Sequence, residues 1–199
     1  MDSSTLNQRK ARTREKVRAL LANAPMDLVQ EWSAAIARRL WELPQVQSAQ
    51  WVMSYVSIGK EVQTHDLIRD LLARGKRVAA PLTQRPGLLA SEIKDFDADL
   101  APGALGILEP KPELLRPVDP KVLEVVLVPG VAFDLGCRRL GRGKGHYEHF
   151  LAQLSDDCFT IGLAFELQVV PRVPTDENDL RVKCLITQDH ATYRPVPAV

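Results

Sequence analysis

Val122-Leu-Glu-Val-Val-Leu-Val-Pro-Gly130 decides the fold of this 199-residue chain. Its β-branched, apolar character suits a strand buried on both faces, as in a parallel sheet covered by helices, and Pro129-Gly130 breaks it. Close behind comes Arg139-Leu-Gly-Arg-Gly-Lys-Gly-His-Tyr-Glu148, where Gly141, Gly143 and Gly145 alternate among Arg139, Arg142 and Lys144. Helical character resumes from about Gly145 to Leu154. A strand feeding a glycine-rich loop that opens a helix aims backbone N–H groups and the positive end of the helix dipole at one point, where phosphate binds readily. Glycine lets the backbone approach an anion closely, while Arg and Lys add charge-assisted hydrogen bonds. The spacing is neither that of a Walker loop nor that of the dinucleotide fingerprint. By pattern alone it is an unclassified phosphate loop, and the same composition also describes a tight surface loop with solvated cations.

Outward from this segment the elements alternate. Gln50 to Val56 reads as a strand, Thr64 caps a helix through Leu72 that Gly75 terminates, and Arg77 to Pro81 reads as another strand. Ahead of them Leu28, Val29, Trp32, Ile36, Leu40 and Leu43 repeat at three and four residues between Pro25 and Pro44, which predicts a core-packing helix. Ser4 to Leu21 is free of Gly and Pro, and Lys10, Arg14 and Arg18 recur at spacing four on one helix face. Residues 82–120 are rich in Pro and Gly, with a short strand near Leu88 to Ile93 and an ordered loop at Leu105-Gly-Ile-Leu-Glu-Pro110. Phe159 to Ala164 and Lys183 to Thr187 supply the last strands. The pattern predicts an α/β three-layer sandwich, a mostly parallel central sheet with helices on both faces. Its length fits a single domain over residues 1–199, with a basic N-terminal helix at about 4–22.

Charge and cysteine content narrow the function. The 26 basic residues are balanced by 25 acidic ones, so anion binding must come from local clusters rather than a whole-surface field. Cys137, Cys158 and Cys184 are odd in number and lack metal-ligand spacing, which fits free thiols in a reducing cytosol better than disulfides or zinc. No apolar stretch of about 18 residues and no secretory h-region is present, so a soluble, cytoplasmic protein without membrane contact is expected.

Pro129-Gly-Val-Ala-Phe-Asp134 followed by Arg139 to Glu148 resembles the signature of the 5-formyltetrahydrofolate cyclo-ligase family, also called 5,10-methenyltetrahydrofolate synthetases. The likeness extends to Lys10 and Arg14, Glu61-Val-Gln-Thr64, Gly106-Ile-Leu-Glu-Pro110 and Pro174-Thr-Asp-Glu-Asn-Asp179, in family order across nearly the whole chain. The resemblance implies an ATP- and Mg²⁺-dependent ligase that converts 5-formyltetrahydrofolate into 5,10-methenyltetrahydrofolate by phosphorylating the formyl oxygen, and a monomer is expected. Phosphoryl transfer asks mainly for positioning and charge neutralisation, which this inventory of cations and backbone amides supplies. Carried over residue by residue, Lys10 and Arg14 reach ATP phosphates from the first helix. Arg139, Leu140, Gly141, Arg142, Gly143, Lys144, Gly145, His146 and Tyr147 form the nucleotide loop, with Arg142 and Lys144 stabilising the transferring group. Glu148 and Asp179 hold Mg²⁺, whose preference is for hard oxygen ligands. Ile58, Glu61 and Gln63 line the folate side, with Tyr147 close to the pterin.

The chain departs from the family at His146-Tyr147-Glu148, where Tyr-Tyr-Asp is usual, at Cys137, where a turn glycine is common, and at Gln63, often an acid. These departures keep open a catalytically weak folate- or nucleotide-binding paralogue. Without the resemblance, Lys10, Arg14 and Arg18 read as a solvated helix face, Glu61 as a helix-entry residue, and Asp176, Glu177 and Asp179 as a solvated acidic loop. His65, His149 and His190 read as surface or satisfied residues, and Trp32, Trp41 and Trp51 as packing. No aromatic is interleaved with the N-terminal cations, which argues against nucleic-acid binding. A sugar-phosphate isomerase is an analogy of fold alone.

Overall fold

Only the second half of the decisive run is strand. Pro120–Val122 makes a single 3-10 turn, with the Asp119 carboxylate accepting from Lys121 N, and Val125–Val128 is extended with every residue buried. The computed structural model describes residues 3–84, 87–103, 106–176 and 179–195. In chain order its elements are α1 (Ser3–Asn23), α2 (Met26–Glu42), α3 (Pro44–Ser48), β1 (Trp51–Ser54), α4 (His65–Ala73), β2 (Arg77–Gln84), β3 (Gly87–Ile93) and α5 (Phe96–Asp99). There follow β4 (Leu100–Pro102), β5 (Leu108–Pro110), β6 (Val125–Val128), β7 (Ala132–Phe133), β8 (Arg139–Leu140), α6 (His146–Leu151), β9 (Phe159–Leu163), β10 (Cys184–Ile186) and β11 (Ala191–Tyr193).

Seven strands make one sheet in the order β11-β10-β9-β6-β1-β2-β3. The inner pairs are parallel, with Val52 opposite both Val78 and Val125, and Leu127 opposite Ile161. The two edge strands, β3 and β11, run antiparallel to their neighbours. Alternate side chains of each strand go to opposite faces, as a period of two demands. Val52, Val125, Leu127, Ile161, Cys184 and Ile186 pack with Val29, Ile36 and Leu40 of α2, Val46 of α3 and Ile68 and Leu71 of α4. Met53, Val126, Val128 and Leu185 face the other way, onto Phe150 and Leu151 of α6 and onto Phe133. This is the expected α/β sandwich with both faces covered.

Four local details differ from the sequence expectations. Thr64 stands at the N-cap of α4 without capping it through its side chain; its hydroxyl donates to Tyr55 O at 2.7 Å and accepts from Ser57 N at 3.0 Å, closing the preceding loop instead. Within the segment 105–110, Leu108–Pro110 is strand, paired with Leu100–Pro102, while Leu105 lies outside the described residues. The helix expected over 145–154 is the shorter α6, and Cys184–Ile186 is followed by one further strand, β11.

The parallel strands alone lie in the order β2-β1-β6-β9-β10, so the chain turns in opposite directions out of β1 and β6. Ligands of such sheets bind at this switch point, in the crevice outside the carboxyl ends of the two strands. Here those ends lead into the loop carrying Glu61 and the loop carrying Arg139 to Lys144.

Candidate active site

The loop after β1 is held by its own bonds. Tyr55 donates its hydroxyl to Val62 O at 3.0 Å, Thr64 N donates to Ser57 Oγ at 3.0 Å, and Gln63 Nε2 donates to Gly59 O at 3.0 Å and Glu61 O at 2.6 Å. Gln63 therefore shapes the loop. The Glu61 carboxylate accepts from Ile58 N at 3.1 Å through Oε2, leaving Oε1 turned to the neighbouring loop.

The loop after β6 starts as a two-strand hairpin, β7 against β8, organised by the buried Asp134. Its carboxylate accepts from Gly136 N at 2.9 Å, Arg138 N at 3.1 Å and Val173 N at 2.9 Å. Cys137 occupies the left-handed region at φ 58°, the position where a glycine would be unstrained. Beyond the hairpin, Gly143 at φ 97° and Gly145 at φ 71° adopt backbone that only glycine takes freely, and Gly145 delivers the chain into α6.

Helix α1 lies across this hairpin through Val17, which packs with Val131, Ala132, Leu140 and Val173. That contact delivers the basic face. Arg14 Nε donates to Gly141 O at 2.8 Å, and Lys10 Nζ bonds Asp176 Oδ2 at 2.7 Å and Asp179 Oδ2 at 2.5 Å. Burial opposes charge on Lys10, but the hydrogen bonds to Asp176 and Asp179 outweigh it and hold its pKa above the ordinary value. Burial and then Arg18 lower the pKa of Arg14, while Asp179 and Glu148 act in the opposite sense, so both carboxylates lie within electrostatic reach of this one guanidinium. Arg18 is exposed.

The loop cations divide by burial. Arg139, with its side chain 3% exposed, points inward: Nη2 pairs with Glu148 Oε1 and Nη1 donates to Pro129 O at 3.1 Å. Arg142 reaches across to Glu61, Nη2 to Oε1 at 2.6 Å. Lys144 is exposed and makes no ion pair among the described residues. Leu140 is buried, so only its backbone can face a ligand, and His146 is half-buried. The Tyr147 hydroxyl and Arg139 Nε are buried without a hydrogen-bond partner among the described residues. Burial pushes the Tyr147 phenol well above its usual range, and it feels Arg139, Glu61 and Arg142, so it stays a protonated donor.

The contacts join Lys10 to Asp176 and Asp179, Arg14 to Gly141, Arg139 to Glu148 and Arg142 to Glu61, with Ile58 and Gln63 holding the Glu61 loop, while Glu177 and Asn178 lie outside the described residues. Two contributors escaped the sequence reading. Asp176, read there as solvated, is a direct partner of Lys10, and Asp134 shapes the approach to the loop. The run of acids at 176–179 was the available signal for the first, and the place of Asp134 at the end of the Pro129–Asp134 signature was the signal for the second.

Among the described residues no group of three or more His, Cys, Asp or Glu could by itself hold a metal. Glu148 and Asp179 nonetheless fit a hard divalent ion shared with phosphate, because such an ion takes one or two carboxylates and completes its shell from substrate and water. The hydrogen bonds that Asp179 accepts both fall on Oδ2. No helix among the described residues is long and apolar enough to cross a membrane.

The model of the 5-formyltetrahydrofolate cyclo-ligase family matches residues 6–188. The chain belongs to this family. It is similar to the 5-formyltetrahydrofolate cyclo-ligase of Escherichia coli K12, 30% identical over 161 residues covering 79% of this chain and 88% of the relative. The mouse 5-formyltetrahydrofolate cyclo-ligase is 26% identical over 203 residues, 95% of this chain and 98% of the relative. The solved structure of Aquifex aeolicus 5,10-methenyltetrahydrofolate synthetase superposes with a TM-score of 0.85 at 29% identity, covering 96% of this chain and 95% of that one. The family's ligase fold and this chain's sheet are the same architecture.

Proposed function

We propose that this cyclo-ligase family member couples ATP hydrolysis to the cyclisation of 5-formyltetrahydrofolate into 5,10-methenyltetrahydrofolate, releasing ADP and phosphate, with Mg²⁺. One observation carries the reading: Arg14 from α1 bonds the glycine loop at Gly141, and Arg142 from that loop bonds Glu61 beyond β1, so three distant segments close on one crevice. A formamide oxygen is a poor leaving group. It attacks the γ-phosphorus and ADP departs; N10 then attacks the activated carbon, the C–O bond breaks, phosphate leaves, and N10 loses its proton to give the methenyl cation.

Lys10, Arg14 and the amides of 141–145 grip the triphosphate, while Arg142 and Lys144 neutralise charge as it moves to the formyl oxygen. Arg139 is enclosed, so its part is to brace Glu148 and the loop from beneath. Glu148 and Asp179 would hold Mg²⁺, which when bound neutralises phosphate charge. Ile58, Glu61 and Gln63 offer an apolar edge and a carboxylate to the folate, and the Tyr147 hydroxyl, which has no partner among the described residues, offers it a donor.

Purified protein given 5-formyltetrahydrofolate, ATP and Mg²⁺ should produce the strongly absorbing methenyl product with stoichiometric phosphate. Folded protein that gives neither would defeat the assignment. Because Glu148 is committed to Arg139, a binding protein with little turnover is the second reading. Calorimetric binding of both ligands without phosphate release would select it.

A further inference from the structure

We propose that the Arg142–Glu61 ion pair is a latch that couples the two substrates, so that nucleotide binding frees Glu61 for the folate. This inference rests on the cyclo-ligase reading. The two residues lie 81 positions apart and belong to the loops that leave the two strands flanking the switch point. Glu61 is held on its own side by Ile58 N at 3.1 Å, so its carboxylate is fixed and Arg142 is the arm that reaches over. Each half of the pair has competing business: Arg142 with phosphate, Glu61 with a donor of the folate. Neither can serve its ligand fully while it serves the other. Tyr55, buried, and Tyr147, partly buried with its hydroxyl enclosed, feel Glu61 and Arg142, which places the latch against the apolar floor of the crevice.

The first ligand to bind therefore bears the cost of opening, and the second does not, which makes the binding of the two mutually reinforcing. Arg142 is 44% and Glu61 21% exposed at the side chain, so the pair is neither buried nor free in water. The coupling factor is then about two- to five-fold at low salt, the equilibrium weight of a partly exposed ion pair. A further consequence has an unusual sign: removing the arginine of the nucleotide loop should tighten nucleotide-free folate binding by the same factor.

The test is titration of 5-formyltetrahydrofolate onto the full chain with and without a non-hydrolysable ATP analogue and Mg²⁺. Wild type should bind folate about two- to five-fold tighter with the analogue present. Arg142→Gln should bind folate more tightly than wild type without nucleotide, and its affinity ratio should fall to about one. Glu61→Gln weakens folate binding but should also bring the ratio to about one. Raising ionic strength on wild type provides an arm free of folding artefacts, since a screened pair loses its coupling. An unchanged ratio in either variant or at high salt, or weaker nucleotide-free binding by Arg142→Gln, overturns the latch. Wild type that binds both ligands with a ratio of one defeats the latch alone; wild type that binds neither defeats the functional reading with it.

Discussion

Replacing Glu148 by Gln probes the most enclosed charge at the site. Arg139 is 3% exposed at its side chain, its Nη2 rests on Glu148 and its Nη1 on the Pro129 carbonyl, while Nε has no partner among the described residues. Breaking a buried pair from one side costs about 3–5 kcal/mol, because the remaining charge is left uncompensated. Gln keeps one acceptor oxygen, and Glu148 is 29% exposed, so the cost here is reduced to about 2–3 kcal/mol. For a chain of this length each kcal/mol moves the melting temperature by about 2–4 °C, giving an expected loss of about 4–12 °C. Far-UV circular dichroism melts and urea midpoints at constant m-value measure it. The double variant Glu148→Gln with Arg139→Met should recover much of the loss, since it removes the stranded guanidinium. A melting temperature within about 2 °C of wild type for Glu148→Gln alone would refute the reasoning. The same variant should raise the Mg²⁺ requirement for turnover, measured well below its melting temperature; an unchanged metal titration would leave Glu148 a bracing residue only.

On the proposed role, Lys144→Ala should lower single-turnover phosphate release by about 10²- to 10³-fold while changing folate affinity little, because a cation that neutralises charge as it moves counts most in the transition state. Equal rates would remove it from the mechanism. At Asp99 burial opposes ionisation, but the Arg116 guanidinium at 2.7 Å and the Lys94 amide outweigh it and hold the carboxyl below its usual range. Its folded pKa lies under its unfolded one, so its stabilisation is fully present above about pH 4 and is lost as pH falls through the folded value. Urea midpoints from pH 7 to 3 should therefore fall less steeply in Asp99→Asn, which starts lower, than in wild type. Burial pushes Cys137 and Cys158 to about 11 and Cys184 to about 12. A chromogenic thiol reagent at pH 8 should find none of the three in native protein and all three in denaturant; a fast native equivalent would contradict their enclosure.

The parallel strands were legible because burial on both faces leaves a run such as Val125–Val128 with no polar alternation to obscure it. The same reasoning missed β11, whose Ala191 and Tyr193 are exposed and whose pairing with Cys184–Ile186 alone makes it a strand. It also missed β4 with β5 and β7 with β8, pieces of two or three residues defined by partners rather than by local propensity. At the site, residue types and their likeness to a family assembled the membership. They could not reveal that Lys10 bonds acids 166 and 169 positions away, or that Arg139 is enclosed where Arg142 is not. Those outcomes depend on tertiary neighbours: Val17 seating α1 on the hairpin, and Gly130, where an added Cβ would come within 3.2 Å of Arg139 Cγ.

The pairing of opposite charges across the crevice bears on how fast the protein meets its nucleotide. Lys10, Arg14, Arg139 and Arg142 lie within reach of Asp176, Asp179, Glu148 and Glu61, four charges against four, so at a distance their fields nearly cancel. With a whole-chain net charge of +1, little long-range attraction is left to steer a polyanion in from solution. Encounter then proceeds at the unassisted pace of ordinary diffusion and docking, and the charges separate only on contact. Salt will act chiefly on how long the triphosphate stays, and hardly on how often it arrives.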